Sequence, residues 1–481
     1  MLRSTAPSRW AALALIVVAQ FMVVLDVSIV NVALSAIKAD LGFSETGLQW
    51  VITAYAIVFG GFLLLGGRLG DLYGRRRMFM TGLLVFAGGS ALAALAWSSQ
   101  SLIAFRALQG LGGALFAPAG LSLLMTTFVD GRDRSLAIGV WGAASGSGGA
   151  AGVLLGGVLT SYLSWPWIFL VNVPVGLTVA ALAPRFIVEA KRLRTKRHFD
   201  FAGATSVTAA LMTFVYALTY ATQHGWSSAV TIGLLAVSAA LLATFISVER
   251  RAPSPLMPLS IFGVRTLAAG NAITIVLASV AFSSFFLLTL YLQQVEHYSA
   301  AETGVAFTAI ALPIAALSNF VGPLVRRAGA RPVLVAGLLL MVSAEVLMVR
   351  LPVHGHYVVD MLPAFLLLGI GMALSWVPVT IASLAGVSPA DAGVASGISN
   401  TARQVGGAVG LAVVSTIAAS YSGAGAAGLT HGFHVAFGAL VALSLVAVAV
   451  TAVFLVPHKH VPNEETVEEL GRDEVLLRQA S

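Results

Sequence analysis

Two ionisable side chains in this sequence stand inside long apolar runs, where a charge is energetically costly. Asp26 lies in the first such run, residues 10–34, and Arg106 lies in the fourth, residues 101–126. An ionisable group inside a membrane is expected to face a partner or a water-filled cavity. Burial favours the neutral form of a carboxyl group and a nearby cation favours its ionised form, so a change in its contact with water can move a proton. The two residues therefore indicate either proton transfer or static buried contacts.

The elements that must position these groups are apolar segments of about twenty residues, long enough to cross a bilayer. Of the 481 residues, 58% are hydrophobic and 10% are charged, whereas soluble domains carry roughly 25% charged residues. We count fourteen such segments. The sequence therefore predicts an all-α membrane protein with fourteen transmembrane helices, and the lipid bilayer is its first partner.

The loops between the segments predict the topology. If the N-terminus is inside, 23 of the 27 lysines and arginines fall in cytoplasmic loops or termini, which is the bias that membrane insertion produces. This places both termini in the cytoplasm. The net charge of +7 then reflects contact with anionic lipid, and we expect no nucleic-acid partner.

The same topology gives the depth of the two charges. Counted from the outer ends of their segments, Asp26 and Arg106 lie at similar depth in the same half of the membrane. Opposite charges at similar depth are expected to form a pair.

A basic hairpin joins the second and third segments at residues 67–77. Its spacing is Gly-x-x-x-Asp-x-x-Gly-Arg-Arg, formed by Gly67, Asp71, Gly74, Arg75 and Arg76. An ordinary cytoplasmic turn is also basic. The full spacing nevertheless resembles the loop between helices 2 and 3 of major facilitator superfamily transporters. This resemblance implies that the five residues gate transport where the two halves of the protein meet.

An internal repeat agrees with that fold. Residues 322–331 repeat the hairpin glycines 255 positions later, and residues 366–374 echo residues 107–115. Two parallel six-helix halves are typical of major facilitator transporters. The predicted divisions are an N-terminal half (1–185), a basic loop with two inserted helices and a connector (186–265), a C-terminal half (266–456) and a cytoplasmic tail (457–481).

Several segments are similar to the fourteen-helix drug/proton antiporter family, the branch with the quaternary-compound and hydrophobic-drug exporters. Residues 25–34 resemble its first-span signature, and Arg106 with Gly110 resembles its Arg-x-x-x-Gly motif. The resemblance implies that Asp26 and Arg106 couple transport to protons. The fifth segment resembles the antiporter motif through Gly148, Gly152, Gly156 and Gly157, although Val153 stands where that motif has proline. The glycines also predict close helix packing.

Four further polar residues are candidates for the cavity or the substrate site. Asn31 lies on a polar face of the first segment, and Gln109 lies on the same face as Arg106. Arg403 in span 13 either binds substrate or extends its guanidinium to the cytoplasmic surface. Glu345 in span 11 is a second proton site, a cation-binding group or a peripheral polar contact; the sequence does not decide between them.

The chain has no cysteine and no Gly-x-x-x-x-Gly-Lys-Ser/Thr phosphate loop. We therefore expect neither an enzyme nor a cofactor or metal site, and an ion gradient must supply the energy. The resemblance implies a proton-driven antiporter in the bacterial cytoplasmic membrane that exports small amphipathic drugs or antibiotics by alternating access. The alternatives are a proton-coupled importer or facilitator of a small metabolite, and a membrane sensor without transport.

Overall fold

The structure is a computed structural model that describes residues 9–43, 48, 50–129, 131–189, 200–252, 255, 257–384, 386–387 and 391–455. The helices are α1 (Arg9–Leu41), α2 (Trp50–Tyr73), α3 (Arg75–Ala94), α4 (Ser99–Thr127), α5 (Gly131–Tyr162), α6 (Trp167–Phe186), α7 (Phe201–His224), α8 (Ala229–Arg251), α9 (Arg265–Leu290), α10 (Ala300–Ala328), α11 (Ala330–Met348), α12 (Leu362–Leu384), α13 (Ala392–Tyr421) and α14 (Gly425–Phe454). A 3₁₀ turn precedes α9, and π-helical turns follow α9 and precede α12. The described residues contain no strand.

Thirteen of these helices are long and apolar enough to cross a membrane unbroken, and α10 is the fourteenth as a bent pair. The bend in α10 is 59°, between Ala301–Leu317 and Phe320–Ala328. Pro323 lies just beyond it and cannot donate to the carbonyl of residue 319, which disrupts the helix at that point. The prediction of an all-α protein with fourteen spans is confirmed.

The two halves repeat in three dimensions as well as in sequence. Gly74 and Gly329 adopt positive φ angles of 108° and 87°, and α3 and α11 begin immediately after them. Arg76 Nη1 then donates to the carbonyl of Ile187 at 3.1 Å. Arg331, 255 positions later, donates in the same way to the carbonyl of Ala452. The helices α3 and α11 therefore share one register.

The inserted helices α7 and α8 lie against each other and beside the two halves. Gly61 on α2 allows the side chain of Met212 on α7 to approach its backbone. Trp226, between α7 and α8, donates to Thr416 Oγ1 on α13 at 2.9 Å. The division of the chain at residues 185, 265 and 456 stays a prediction, since most of the basic loop and the whole tail lie outside the described residues.

The two halves pack together at the end of the bundle that carries the hairpin 67–77, here called the hairpin end. A Cβ added to Gly397 on α13 would lie 3.4 Å from Leu63 O and from Leu64 Cα on α2. Leu64, Val394 and Ile398 belong to one buried apolar cluster. The hairpin end is therefore closed in this structure.

Candidate functional site

Asp26 lies at the centre of a buried polar network in the first half. Its side chain is 0% exposed. Its Oδ2 accepts a hydrogen bond from Arg106 Nη1 at 2.7 Å. Its Oδ1 accepts from Gln109 Nε2 at 2.7 Å and from Asn172 Nδ2 at 2.9 Å. Donors on α4 and α6 thus hold a carboxylate from α1, and hydrogen bonds of this kind stabilise its ionised form.

Arg106 has partners on every side of its guanidinium group, which is 1% exposed. Its Nε donates to the carbonyl of Val51 at 3.0 Å, and Nη1 also donates to Gln109 Oε1. The guanidinium carbon lies 4.4 Å from the ring centre of Tyr55 on α2, a cation–π distance. The expected pair between Asp26 and Arg106 is present, and α2 supports it from the side.

Gln109 was a candidate for the cavity or the substrate site on the same helical face as Arg106, and the structure places it inside this network at 0% exposure. Its amide also donates to Ser90 Oγ on α3 at 2.8 Å, and Ser90 donates to the carbonyl of Phe86. The reason is helical periodicity, because Gln109 is less than one turn from Arg106 and shares its buried face. We call Asp26, Arg106, Gln109, Asn172 and Ser90 the Asp26 network.

The glycines of α5 pack against α1 directly beside Asp26. A Cβ on Gly148 would lie 2.9 Å from Val24 Cβ, and one on Gly152 would lie 2.7 Å from the carbonyl of Leu25. A Cβ on Gly156 would lie 2.9 Å from the carbonyl of Ile29. Gly157 is buried, and α5 is one continuous helix across Val153. The ladder therefore sets how closely α5 and α1 approach.

The hairpin residues bond to one another and to the residues that follow α6. Asp71 Oδ1 accepts from Arg75 Nε at 3.0 Å and from Arg75 Nη2 at 2.8 Å. Gly67 is buried in the last turns of α2. Glu189 accepts from the backbone nitrogens of Arg76 and Arg77 at 3.2 and 3.3 Å. A carboxylate at this helix N-terminus complements the helix dipole.

Asp71 was expected to help hold the two halves together at this end. Its Oδ2 is buried and makes no hydrogen bond to any part of the chain that the structure describes. Its charged neighbours are Arg75, Arg68 and, from the start of α13, Asp391. Across the interface, Asp71 thus meets a like charge, with arginines of its own hairpin close by.

Arg403 lies between the two halves. Its Nη2 donates to Asn400 Oδ1 at 2.9 Å. Its guanidinium carbon lies 5.0 Å from the ring of Trp141 on α5 and 5.7 Å from the ring of Trp376 on α12. Trp376 also lines a small cavity formed by α5, α10 and α12. The arrangement offers a cation and two aromatic faces.

The remaining two candidates lie apart from the Asp26 network. Asn31 is exposed on α1 and donates to the carbonyl of Val27 in its own helix at 2.9 Å. Glu345 is completely buried in the second half. No group of three or more His, Cys, Asp or Glu suited to a metal occurs among the described residues.

Several residues that contact Asp26, Arg106, Gln109 or Arg403 were not predicted from the sequence. Asn172 lies between Pro166 and Pro174, and nothing in the local sequence ties it to residue 26. Ser90, Tyr55 and Trp141 are ordinary residues of apolar helices. A search for polar residues at the depth of Asp26 on the other spans would have selected Ser90 and Asn172.

Comparison with known proteins agrees with this architecture. A family model described as Major Facilitator Superfamily matches residues 16–411 and 272–479. The puromycin resistance protein pur8 of Streptomyces alboniger is 38% identical, over 96% of this chain and 94% of its own length. The cephamycin export protein CmcT of Amycolatopsis lactamdurans is 39% identical over 91% of each chain. The lincomycin resistance protein of Streptomyces lincolnensis is 34% identical over 85% of this chain and 84% of its own.

A solved structure shares the fold. The human organic anion transporter MFSD10 (TETRAN) superposes with a TM-score of 0.66 at 16% identity, over 92% of this chain and 100% of that one. The relatives fit the drug/proton antiporter type that the first-span signature resembles. The chain is a multi-pass membrane transporter, not an enzyme, and it belongs to the major facilitator superfamily.

Proposed function

We propose that the protein exports amphipathic drugs or antibiotics in exchange for protons, by alternating access across the bacterial cytoplasmic membrane, with both termini in the cytoplasm. The observation that carries the proposal is the Asp26 network, a carboxylate and a guanidinium paired inside a membrane-spanning half. The names of the relatives, which are resistance and export proteins, support the outward direction.

Protonation of Asp26 supplies the coupling step. A neutral carboxyl binds Arg106 far less strongly than a carboxylate does, so proton binding leaves a buried cation without compensation. Gln109 and Asn172 likewise donate to the two carboxylate oxygens and must rearrange. Because these donors lie on α4 and α6, the change in charge on α1 alters how three helices pack.

The glycine ladder and the hairpin transmit this change in the proposal. The backbone of α5 touches α1 at Gly152, so a movement of α1 displaces α5, which lines the interface between the halves. The hairpin residues Gly67, Asp71, Gly74, Arg75 and Arg76 gate the closed end. Asp391 at the start of α13 is a like charge near Asp71, and the closer arginines Arg75 and Arg68 outweigh its repulsion while this end is closed.

The substrate site in this proposal lies between the halves, at Arg403 and the two tryptophans beside it. Indole faces suit planar or amphipathic molecules, and the guanidinium binds oxygen acceptors. Asn31, which is exposed on α1, is a second contact. The small cavity beside Trp376 is the closed-state remnant of this site.

The test uses a bacterial strain that lacks its own efflux pumps. Expression of the wild type is expected to lower the accumulation of ethidium and to raise resistance to puromycin, and a proton ionophore is expected to abolish both effects. Asp26→Asn at equal membrane abundance is the matched control. Raised accumulation would indicate an importer, and unchanged accumulation of every probe would favour a sensor.

A further inference from the structure

Glu345 is an acidic residue to which the proposed coupling step gives no role. It lies on α11, its side chain is 0% exposed, and both of its carboxyl oxygens are buried without a hydrogen-bond partner in the described chain. It stands three residues before the end of α11 at Met348. Helical side chains lean towards the N-terminus of their helix, so the carboxyl group points back towards the middle of the membrane.

The helices packed against α11 bring no charge to this carboxyl group. Within its helical bounds α12 carries no acidic or basic residue, and α14 carries only His431 and His434. The ring of His434 contacts the carbonyl of Leu351, beyond the end of α11. The acidic and basic residues of α10 are confined to its first and last turns.

The hydroxyl of Ser444 on α14 lies beside the Glu345 carboxyl group and is a candidate hydrogen-bond donor to it. In the part of the chain that the structure describes, the two groups do not reach standard hydrogen-bond geometry with each other or with any other group. A metal cation would need several oxygen ligands, and the described residues provide no cluster of acidic or histidine side chains. An ionised carboxylate without a partner is very unfavourable inside a membrane, so the neutral acid is the stable form.

The internal repeat relates Glu345 to a residue of the first half. Because α3 and α11 share a register offset by 255 residues, Glu345 is the counterpart of Ser90. Ser90 accepts a hydrogen bond from Gln109 at the edge of the Asp26 network. The second half therefore buries a carboxyl group at the position that Ser90 occupies in the first half, at the edge of the Asp26 network.

We propose that Glu345 is a second proton-binding site, which carries its proton while the hairpin end is closed and releases it to water in another step of the cycle. The step is the loss of one proton from the carboxyl oxygen, which leaves a carboxylate. This inference rests on the proposed proton-driven export, because it needs a cycle in which the second half becomes hydrated.

The first experiment measures the ratio of protons to substrate in proteoliposomes that contain wild type, Glu345→Gln or the control Asp133→Asn. Asp133 pairs with Arg9 near the start of α5 and has no part in the Asp26 network. Glutamine imitates the neutral acid, so Glu345→Gln is expected to keep exporting substrate with a lower proton-to-substrate ratio. An unchanged ratio in a folded Glu345→Gln protein overturns the inference. Absence of proton-coupled export in the wild type would instead overturn the proposed function.

A second measurement remains decisive if Glu345→Gln does not fold. Infrared difference spectra of Asp26→Asn protein, with and without substrate, are expected to show the carbonyl band of a protonated carboxylic acid that changes on binding. The same band is expected in the Asp26→Asn, Asp71→Asn double variant, which removes another acid that has a buried oxygen without a hydrogen-bond partner in the described chain, and in the Asp133→Asn control. If no band of a protonated, buried acid is present in the Asp26→Asn protein, Glu345 is not a protonated site and the inference fails.

Discussion

Each half buries an acidic side chain within a membrane-spanning helix, Asp26 on α1 and Glu345 on α11, and the surroundings of the two are opposite. Asp26 in the first half has three side-chain donors from two helices. Glu345 in the second half has no hydrogen-bond partner within the described residues. Under the proposed mechanism, the energetic cost of burial is met by pairing for Asp26 and by neutralisation for Glu345. We therefore propose that the two acids respond to different events, Asp26 to binding of a proton beside Arg106 and Glu345 to contact with water.

The largest loss of stability and export is expected when the buried cation of the first half, Arg106, is removed. Arg106→Ala leaves Asp26 buried with its charge uncompensated, which is expected to lower the free energy of unfolding by about 3–5 kcal/mol. Export should be lost. Arg106→Lys should retain partial export at best, because an ammonium cannot reproduce the guanidinium fork. Thermal unfolding in detergent and transport at matched abundance check both statements, and normal export by Arg106→Ala would refute the coupling role.

Replacement of the carboxylate, Asp26, should destabilise the protein less than replacement of Arg106. Asp26→Asn keeps an oxygen that accepts from Arg106, and the guanidinium keeps its bond to Val51 and its contact with Tyr55. Proton-driven export is expected to fall to background while the protein stays folded and binds substrate. The measurement is uptake under an imposed pH gradient, together with substrate binding to the purified variant. Export at the normal rate would rule out Asp26 as the coupling group.

The two halves also differ in charge at their hairpins. Asp71 of the first half corresponds to Arg326 of the second, 255 positions on. Asp71→Asn removes the charge that binds Arg75. Turnover is expected to fall about tenfold, the effect of losing about 1.4 kcal/mol from one charge-assisted contact. Substrate affinity should be nearly unchanged. Kinetic constants from proteoliposomes test this, and a large change in affinity with unchanged turnover would contradict the gating role.

The smallest expected effect concerns the stability of the second half. Glutamine has almost the volume of protonated glutamic acid and no charge, so Glu345→Gln should change the free energy of unfolding by less than about 1 kcal/mol. The matched comparison is Asp26→Asn, which leaves Arg106 buried without its counter-charge and should lose more. Equal losses in thermal stability for the two variants would mean that both carboxyl groups are ionised in the folded protein.

Much of this protein was determined by the sequence alone. The apolar runs and the distribution of arginines predicted fourteen helices, because transfer of a segment into a bilayer depends on local composition. The matched depths of Asp26 and Arg106 also predicted their pairing, since depth follows from counting along each helix. The repeat of the two hairpins located the two halves.

The tertiary structure alone decided how the helices rotate and which side chains meet. Depth along a helix does not determine its rotation, which depends on contacts such as that between Gly152 and the backbone of α1. For this reason the contact of Asn172 with Asp26 and the position of Arg403 beside two tryptophans followed only from the tertiary structure. The burial of Glu345 without a partner depends on all the helices around it, so no local pattern could reveal it.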